Sequence, residues 1–135
     1  MSHLKVLLVD DELDYLELMS KRLTKRGFVV TTASGGEEAL RLAADNTFDA
    51  AVLDMKMPGM NGLECLRRLK EMRPLIHCII LTGHADLSDT ATGFALGAFE
   101  YLVKPVHIDE LVEAIVNVCS CGCLQPPPAM SGAAP

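Results

Sequence analysis

Five short apolar runs, at residues 4–9, 28–32, 48–53, 78–81 and 99–103, alternate with five segments of helical periodicity. That alternation constrains the fold more than any other feature of the chain. Within the helical segments apolar residues recur at spacings of three and four: Leu13, Leu16, Met19 and Leu23; Ala39, Leu42 and Ala43; Leu63, Leu66, Leu69 and Met72. The fourth segment carries Leu87, Ala91, Phe94, Ala95 and Ala98, and the fifth Ile108, Leu111, Val112, Ile115 and Val116. Strands alternating with helices of this length need right-handed crossovers, which build a mostly parallel sheet with helices on both faces. Residues 6–9 and 50–53 are apolar without alternation, as strands buried on both faces are. The expected class is α/β, a doubly wound three-layer sandwich around a five-stranded parallel sheet.

Local signals set the boundaries. Ser34 with Glu37 reads as a capping box, Asn61 with Glu64 as a weaker one, Gly27 closes the first helix and Pro74 stops the third. Asp11 reads as the N-cap of the first helix, whatever else it does.

Three of the apolar runs end in charge. Asp10 and Asp11 follow the first run, Asp54 the third and Lys104 the fifth. In doubly wound sheets ligands bind at the carboxyl ends of the strands, beside the point where strand order reverses. Three carboxylates and an ammonium would meet there. Close carboxylates need a positive partner, and an ammonium can neutralise a developing oxyanion, so the cluster suits a divalent cation and a phosphoryl group.

The chain's 135 residues fit one domain that buries roughly two thirds of its unfolded surface. The net charge is −6, with Lys and Arg scattered or gathered at residues 21–26 and 67–73, which argues against nonspecific nucleic-acid binding. Apolar runs fall far short of the roughly 20 residues that span a bilayer. Met1 leads into a strand-like segment without the basic and apolar regions of a signal peptide. The expectation is a soluble cytoplasmic protein without membrane contact. Of five cysteines, Cys65 and Cys78 lie in apolar patterns as buried thiols, and disulfides are not expected in that compartment. Cys119, Cys121 and Cys123 alternate in CSCGC without a second pair at zinc spacing, so they read as a frayed helix end. Residues 1–121 form the expected domain. Residues 122–135, ending in QPPPAMSGAAP, read as a disordered tail or a truncated linker.

LLVDDE at 7–12, VLDMKMPGMNG at 52–62, LTGHA at 81–85 and GAFEYLVKP at 97–105 together resemble the receiver domain of two-component response regulators, over residues 4–119. The resemblance implies the flavodoxin-like strand order 2-1-3-4-5 known from a chemotaxis member of the family. It makes Asp54 the phosphoacceptor, which attacks the phosphorus of a phosphohistidine on a sensor histidine kinase or phosphotransfer protein. It makes Asp10 and Asp11 the pair that positions Mg2+, with Asp11, Asp54 and the Lys56 backbone carbonyl as direct ligands and Asp10 acting through water. Thr82 would bind a phosphoryl oxygen, with Gly83 leaving room. Lys104 would pair with the phosphoryl group and, before it arrives, with Asp54. The family also has a cis peptide at the bond matching Lys104 to Pro105. Tyr101 occupies the aromatic switch position. Lys56 and His84 fall where the family varies and tunes phosphate lifetime.

The plain alternatives are a strand-end Thr82, an edge-strand Tyr101 with a wet hydroxyl, and solvent-facing Lys56 and His84. The resemblance further implies that a face made by the fourth helix, the fifth strand and the fifth helix changes its preferred partner, and it is compatible with phosphorylation-linked homodimers. It names no output domain, and no direct DNA binding is assigned to these residues. An aspartyl-phosphate phosphohydrolase of the haloacid dehalogenase type would need an acid two residues after Asp54, where Lys56 stands. A switch rather than a turnover enzyme is expected, with an unphosphorylated interaction module of the same shape as the other alternative.

Overall fold

The computed structural model describes residues 4–83, 95 and 98–124. Its elements are β1 (Lys5–Val9), α1 (Leu13–Lys25), β2 (Val29–Ala33), α2 (Gly36–Asp45), β3 (Ala50–Asp54), α3 (Gly62–Met72), β4 (His77–Thr82), β5 (Ala98–Val103) and α4 (Ile108–Leu124). Most of the fourth helical segment expected from the sequence lies outside the described residues, and Ala98, expected at its end, opens β5 instead, so α4 is the fifth of those segments.

All five strands are parallel, in the order β2-β1-β3-β4-β5. This order places β2 on one side of β1 and β3 on the other, so the winding reverses between β1 and β3. Val9 pairs with Leu53 there, so the next residues, Asp10 just past β1 and Asp54 at the end of β3, follow that pair at the carboxyl edge of the sheet. Residues of β1, β3 and β4 are buried almost throughout, whereas the edge strand β2 is partly open. The unbroken apolar runs thus mark the central strands.

Two apolar layers flank the sheet. Val6, Leu8, Val52, Ile79 and Leu81 pack with Leu16, Met19 and Leu23 of α1 and Leu111, Ile115 and Val118 of α4. Leu7, Val9, Leu53 and Ile80 pack with Ala39 and Ala43 of α2 and Cys65, Leu66 and Leu69 of α3. Between Cys78 and Ile79 the β4–β5 register shifts by one residue, which sets Tyr101 opposite Ile80 and Leu102 opposite Leu81. Tyr101 therefore joins the α2 and α3 layer and Leu102 the other. Cys65 and Cys78 are buried, and burial pushes both thiols up to about 12, leaving them unreactive.

Several local expectations are corrected. Helix α2 begins at Gly36 with Gly35 as N-cap, so the expected Ser34 and Glu37 box does not form. Glu38, one residue later, reaches back instead and accepts from both the Ser34 amide at 2.7 Å and its hydroxyl at 3.0 Å. Asp11 is not the cap of α1; Glu12 holds that position, and Asp10 Oδ1 accepts from the Glu12 amide at 2.9 Å. Leu13 belongs to the apolar stripe by spacing but is 63% exposed, because it lies in the first turn, beyond the sheet. Helix α4 itself runs to Leu124. Residues 125–135 lie outside the described residues.

Other signals match the structure. Asn61 caps α3, accepting from the Glu64 amide at 2.9 Å, and Gly27 ends the turn after α1 with φ of 97°. Basic residues 67–73 do not make a free positive patch: Arg67 and Arg68 both pair with Glu64, and Arg73 donates to the carbonyls of Ala43 and Ala44. Hydrogen bonds from Arg67, then Arg68, hold the Glu64 carboxyl down at about 2. Among the described residues no helix is long and apolar enough to cross a membrane.

Candidate functional site

The carboxyl ends of β1, β3, β4 and β5 carry the site. Asp54 is the last residue of β3 and only 6% exposed; Asp10, directly after β1, is 1% exposed; Thr82 ends β4 and is buried too. Asp11 is exposed. One carboxylate oxygen from each of Asp10, Asp11 and Asp54 lies within 4.8 Å of the others. Such a set fits a hard divalent cation, which takes a few carboxylates and completes its shell with water and phosphate oxygens. The Lys56 side chain is exposed.

Lys104 lies just past the end of β5, and its amide donates to the Thr82 carbonyl at 2.7 Å, tying the two strand tips together. Its ammonium is 3.0 Å from Asp10 Oδ2, 3.2 Å from Asp54 Oδ1 and 3.6 Å from Glu12 Oε1. The Lys104–Pro105 peptide is cis. The β3–α3 connection is equally fixed: the Met55 amide donates to the Leu81 carbonyl at 2.8 Å and the Gly62 amide to the Met55 carbonyl at 2.9 Å.

Electrostatics follow from the crowding. Burial, reinforced by the negative charge of Asp10 and only partly offset by Lys104, pushes the Asp54 carboxyl up to about 6. Burial also works against the Lys104 charge, but its hydrogen bond to Asp10 and the attraction of Asp10 and Asp54 prevail and hold its pKa above the ordinary lysine value. The carboxylates outnumber the cation, so the site has room for more positive charge.

The strand tips thus bring together Asp10, Asp11, Asp54, Thr82 and Lys104. Tyr101 sits on β5, half-buried in the α2 and α3 layer, rather than at the carboxylates. His84 lies outside the described residues. Sequence reasoning missed two side chains. Glu12 was hidden as one more acid of an acidic stretch. Tyr15, on α1, has the Lys104 ammonium 4.8 Å from its ring centroid. No local signal marks that contact, because it joins the first helix to the last strand tip.

The sequence matches the family described as response regulator receiver domain over residues 6–116. Among curated relatives, the DNA-binding transcriptional regulator NtrC of Escherichia coli K12 is 36% identical over 115 residues, which cover 85% of this chain and 24% of NtrC. The transcriptional regulatory protein PrrA of Mycobacterium tuberculosis is 39% identical over 111 residues, covering 82% of this chain and 48% of PrrA. The chain therefore spans about a quarter of the one relative and about half of the other. Among solved structures, a response regulator receiver domain protein from Clostridium thermocellum superposes with a TM-score of 0.84 at 40% identity, over 90% of this chain and 98% of that one. The response regulator protein TrrA from Thermotoga maritima, in complex with Mg2+-BeF, superposes with a TM-score of 0.76 at 33% identity, over 84% of this chain and 97% of that one.

Proposed function

The chain belongs to the response regulator receiver domain family, and from that premise we propose that it is a phosphorylation-dependent switch whose phosphoacceptor is Asp54. The observation that carries this reading is the placement of Asp54, a buried strand-end carboxylate beside two other acids and 3.2 Å from the Lys104 ammonium. The complex of TrrA with Mg2+-BeF adds the cation and the phosphoryl chemistry by likeness.

In the proposed reaction an Asp54 carboxylate oxygen attacks the phosphorus of a phosphohistidine on a sensor histidine kinase or phosphotransfer protein. The new bond is P–O, the bond broken is P–N, and the imidazole leaves with the electron pair. With its carboxyl at about 6, Asp54 is mostly ionised at neutral pH and able to attack. Asp11, Asp54 and the Lys56 carbonyl would hold Mg2+ directly and Asp10 would do so through water; the cation supplies charge neutralisation on the phosphoryl oxygens. Lys104 answers the remaining charge and Thr82 donates its hydroxyl to a phosphoryl oxygen.

Signalling follows from the connections. Movement of Thr82 toward the phosphoryl group is relayed to Tyr101 on the neighbouring strand, and the surface built on β5 and the helices beside it changes its preferred partner. Lys56 and His84 are assigned to tuning phosphate lifetime. Two relatives are named as transcription regulators, and control of transcription is the output proposed for the pathway this receiver serves. No direct DNA contact is proposed for these residues.

The test is uptake of phosphoryl groups from acetyl phosphate with Mg2+, followed by mass spectrometry, together with a beryllofluoride titration monitored on the amide spectrum. Expected are one base-labile phosphoryl group, absent from Asp54→Asn, and shifts at Asp54, Thr82 and Tyr101. Label at position 54 in Asp54→Asn would overturn the assignment. Silence at all three amides would instead favour an interaction module that is never phosphorylated.

A further inference from the structure

Lys104 is contacted from two kinds of side chain. Three carboxylates compete for its ammonium: Asp10 at 3.0 Å, Asp54 at 3.2 Å and Glu12 at 3.6 Å. The Tyr15 ring provides a fourth contact, with its centroid 4.8 Å from Nζ. An ammonium within about 6 Å of an aromatic face is attracted by the ring quadrupole, and that attraction uses none of its hydrogen bonds. The Tyr15 hydroxyl, by contrast, is buried with no hydrogen-bond partner among the described residues. Among the described residues, the contact that ties Tyr15 to the site is therefore made by its ring.

The ring matters because of the company Lys104 keeps. Its stem is flexible, and the Glu12 side chain is 68% exposed, so pairing with Glu12 draws the ammonium toward water and away from Asp54. Asp54 would then face Asp10 with its charge uncompensated. A flat apolar wall that also attracts cations limits that excursion while leaving Nζ able to turn among the carboxylates.

We propose that Tyr15 is a positioning residue for phosphoryl uptake, whose ring holds the Lys104 ammonium at the strand tips, where the charge of the incoming group must be answered. The inference rests on the receiver reading above and adds to it a residue on α1 that acts through Lys104.

Tyr15→Phe keeps the ring and removes only the hydroxyl; Tyr15→Leu removes the ring, and Tyr15→Met replaces it with a flexible unbranched chain in case Leu disturbs the fold. The initial rate of phosphoryl uptake from acetyl phosphate with Mg2+ is expected to fall roughly 2- to 30-fold in the Leu and Met variants, the range a cation–π contact spans. Tyr15→Phe should retain the wild-type rate. A readout that packing alone does not move is the proton spectrum of the Lys104 side chain. Its methylene signals next to Nζ should carry a ring-current shift in the wild type and Tyr15→Phe and lose it in the other two.

Wild-type uptake in Leu and Met variants that fold would overturn the inference, as would a Phe variant as slow as they are. A wild type inert to both acetyl phosphate and beryllofluoride would overturn the receiver reading, and this inference with it.

Discussion

Asp10 and Lys104 form the most shielded ion pair of the described site: Oδ2 and Nζ are 3.0 Å apart, with the Asp10 side chain 1% and the Lys104 side chain 19% exposed. The same ammonium is 3.2 Å from Asp54, so one cation serves two buried carboxylates. The sharing is unequal. Asp10 also receives the Glu12 amide, whereas burial, with the Asp10 charge added and Lys104 only partly offsetting them, raises the Asp54 carboxyl to about 6.

Removing that cation should expose the imbalance. In Lys104→Met, Asp10 and Asp54 face each other with no positive partner. Breaking a fully buried pair costs about 3–5 kcal/mol, and the partial exposure of Lys104 reduces the expected loss to about 1–3 kcal/mol in cation-free solution. Mg2+ should restore much of it, because a second cation occupies the same charge gap. Urea denaturation with and without a chelator checks this. A loss of equal size in both conditions would mean that Lys104 stabilises the fold by packing rather than by charge.

The raised carboxyl of Asp54 gives stability a specific pH dependence. Its folded value of about 6 lies above the ordinary 3.8, so between the two the folded chain holds a proton that the unfolded chain has released. The contribution of this group is therefore intact below about pH 4 and declines as pH rises through about 6. Asn does not titrate. Asp54→Asn should be more stable than wild type at pH 7 without divalent cations, by about 1–2 kcal/mol after allowance for solvent screening of the full shift. The gap should close toward pH 4. A gap that stays constant across the pH series would show that ionisation of Asp54 is not its source.

The site was legible in the sequence where a long pattern carried it. Residues 50–53 are unbroken apolar and stop at an acid, so the strand and its charged tip were both marked, and the tips of β1 and β5 were marked in the same way; Thr82 at the tip of β4 carries no charge and was marked only by the family resemblance. Details that depend on a shift of one residue were not. Helix α2 starts at Gly36, so Glu38 and not Glu37 meets Ser34. Asp11 looked like a cap, yet the backbone turns so that Asp10 takes the Glu12 amide. Leu13 matched the helical period, but periodicity does not say where the sheet ends beneath it. Tyr15 was invisible because an aromatic ring on an amphipathic helix looks like core until the Lys104 ammonium is placed over it.

Gly62 fixes the distance between helix α3 and the end of β3. A Cβ there would lie 2.6 Å from the Asp54 carbonyl oxygen and 2.9 Å from Met55 Cα, and neither backbone atom yields as a flexible side chain does. Gly62→Ala should cost about 1–3 kcal/mol, as overpacking of a tight contact does, and should slow phosphoryl uptake by displacing Asp54. Gly35, where an added Cβ meets nothing within 4 Å, is the contrast: Gly35→Ser should leave stability unchanged or raise it by a few tenths of a kcal/mol at the N-cap. Thermal melts and uptake rates on both variants test the difference. Equal behaviour would show that the chain relaxes around Gly62 without moving the site.

Asp10 and Asp11 are neighbours with opposite structural duties, and that separates two effects of their amides. Asp10 is buried, accepts the Glu12 amide at 2.9 Å and pairs with Lys104 at 3.0 Å. Asp10→Asn weakens both contacts and should cost about 1–3 kcal/mol even without metal, since it leaves a buried hydrogen-bond network short of its charge. Asp11 is exposed, makes neither of these contacts, and lies within reach of the other two carboxylates only as part of the acidic set. Asp11→Asn should leave the cation-free melting temperature nearly unchanged and abolish most of the rise that Mg2+ produces in the wild type, because the stabilisation grows with ligand concentration over Kd and the variant raises Kd. Melting curves of the three proteins against Mg2+ concentration provide the measurement. If Asp11→Asn keeps the full Mg2+-dependent rise, the cation is held by Asp10 and Asp54 alone, and the two acids after β1 must exchange the roles assigned to them here.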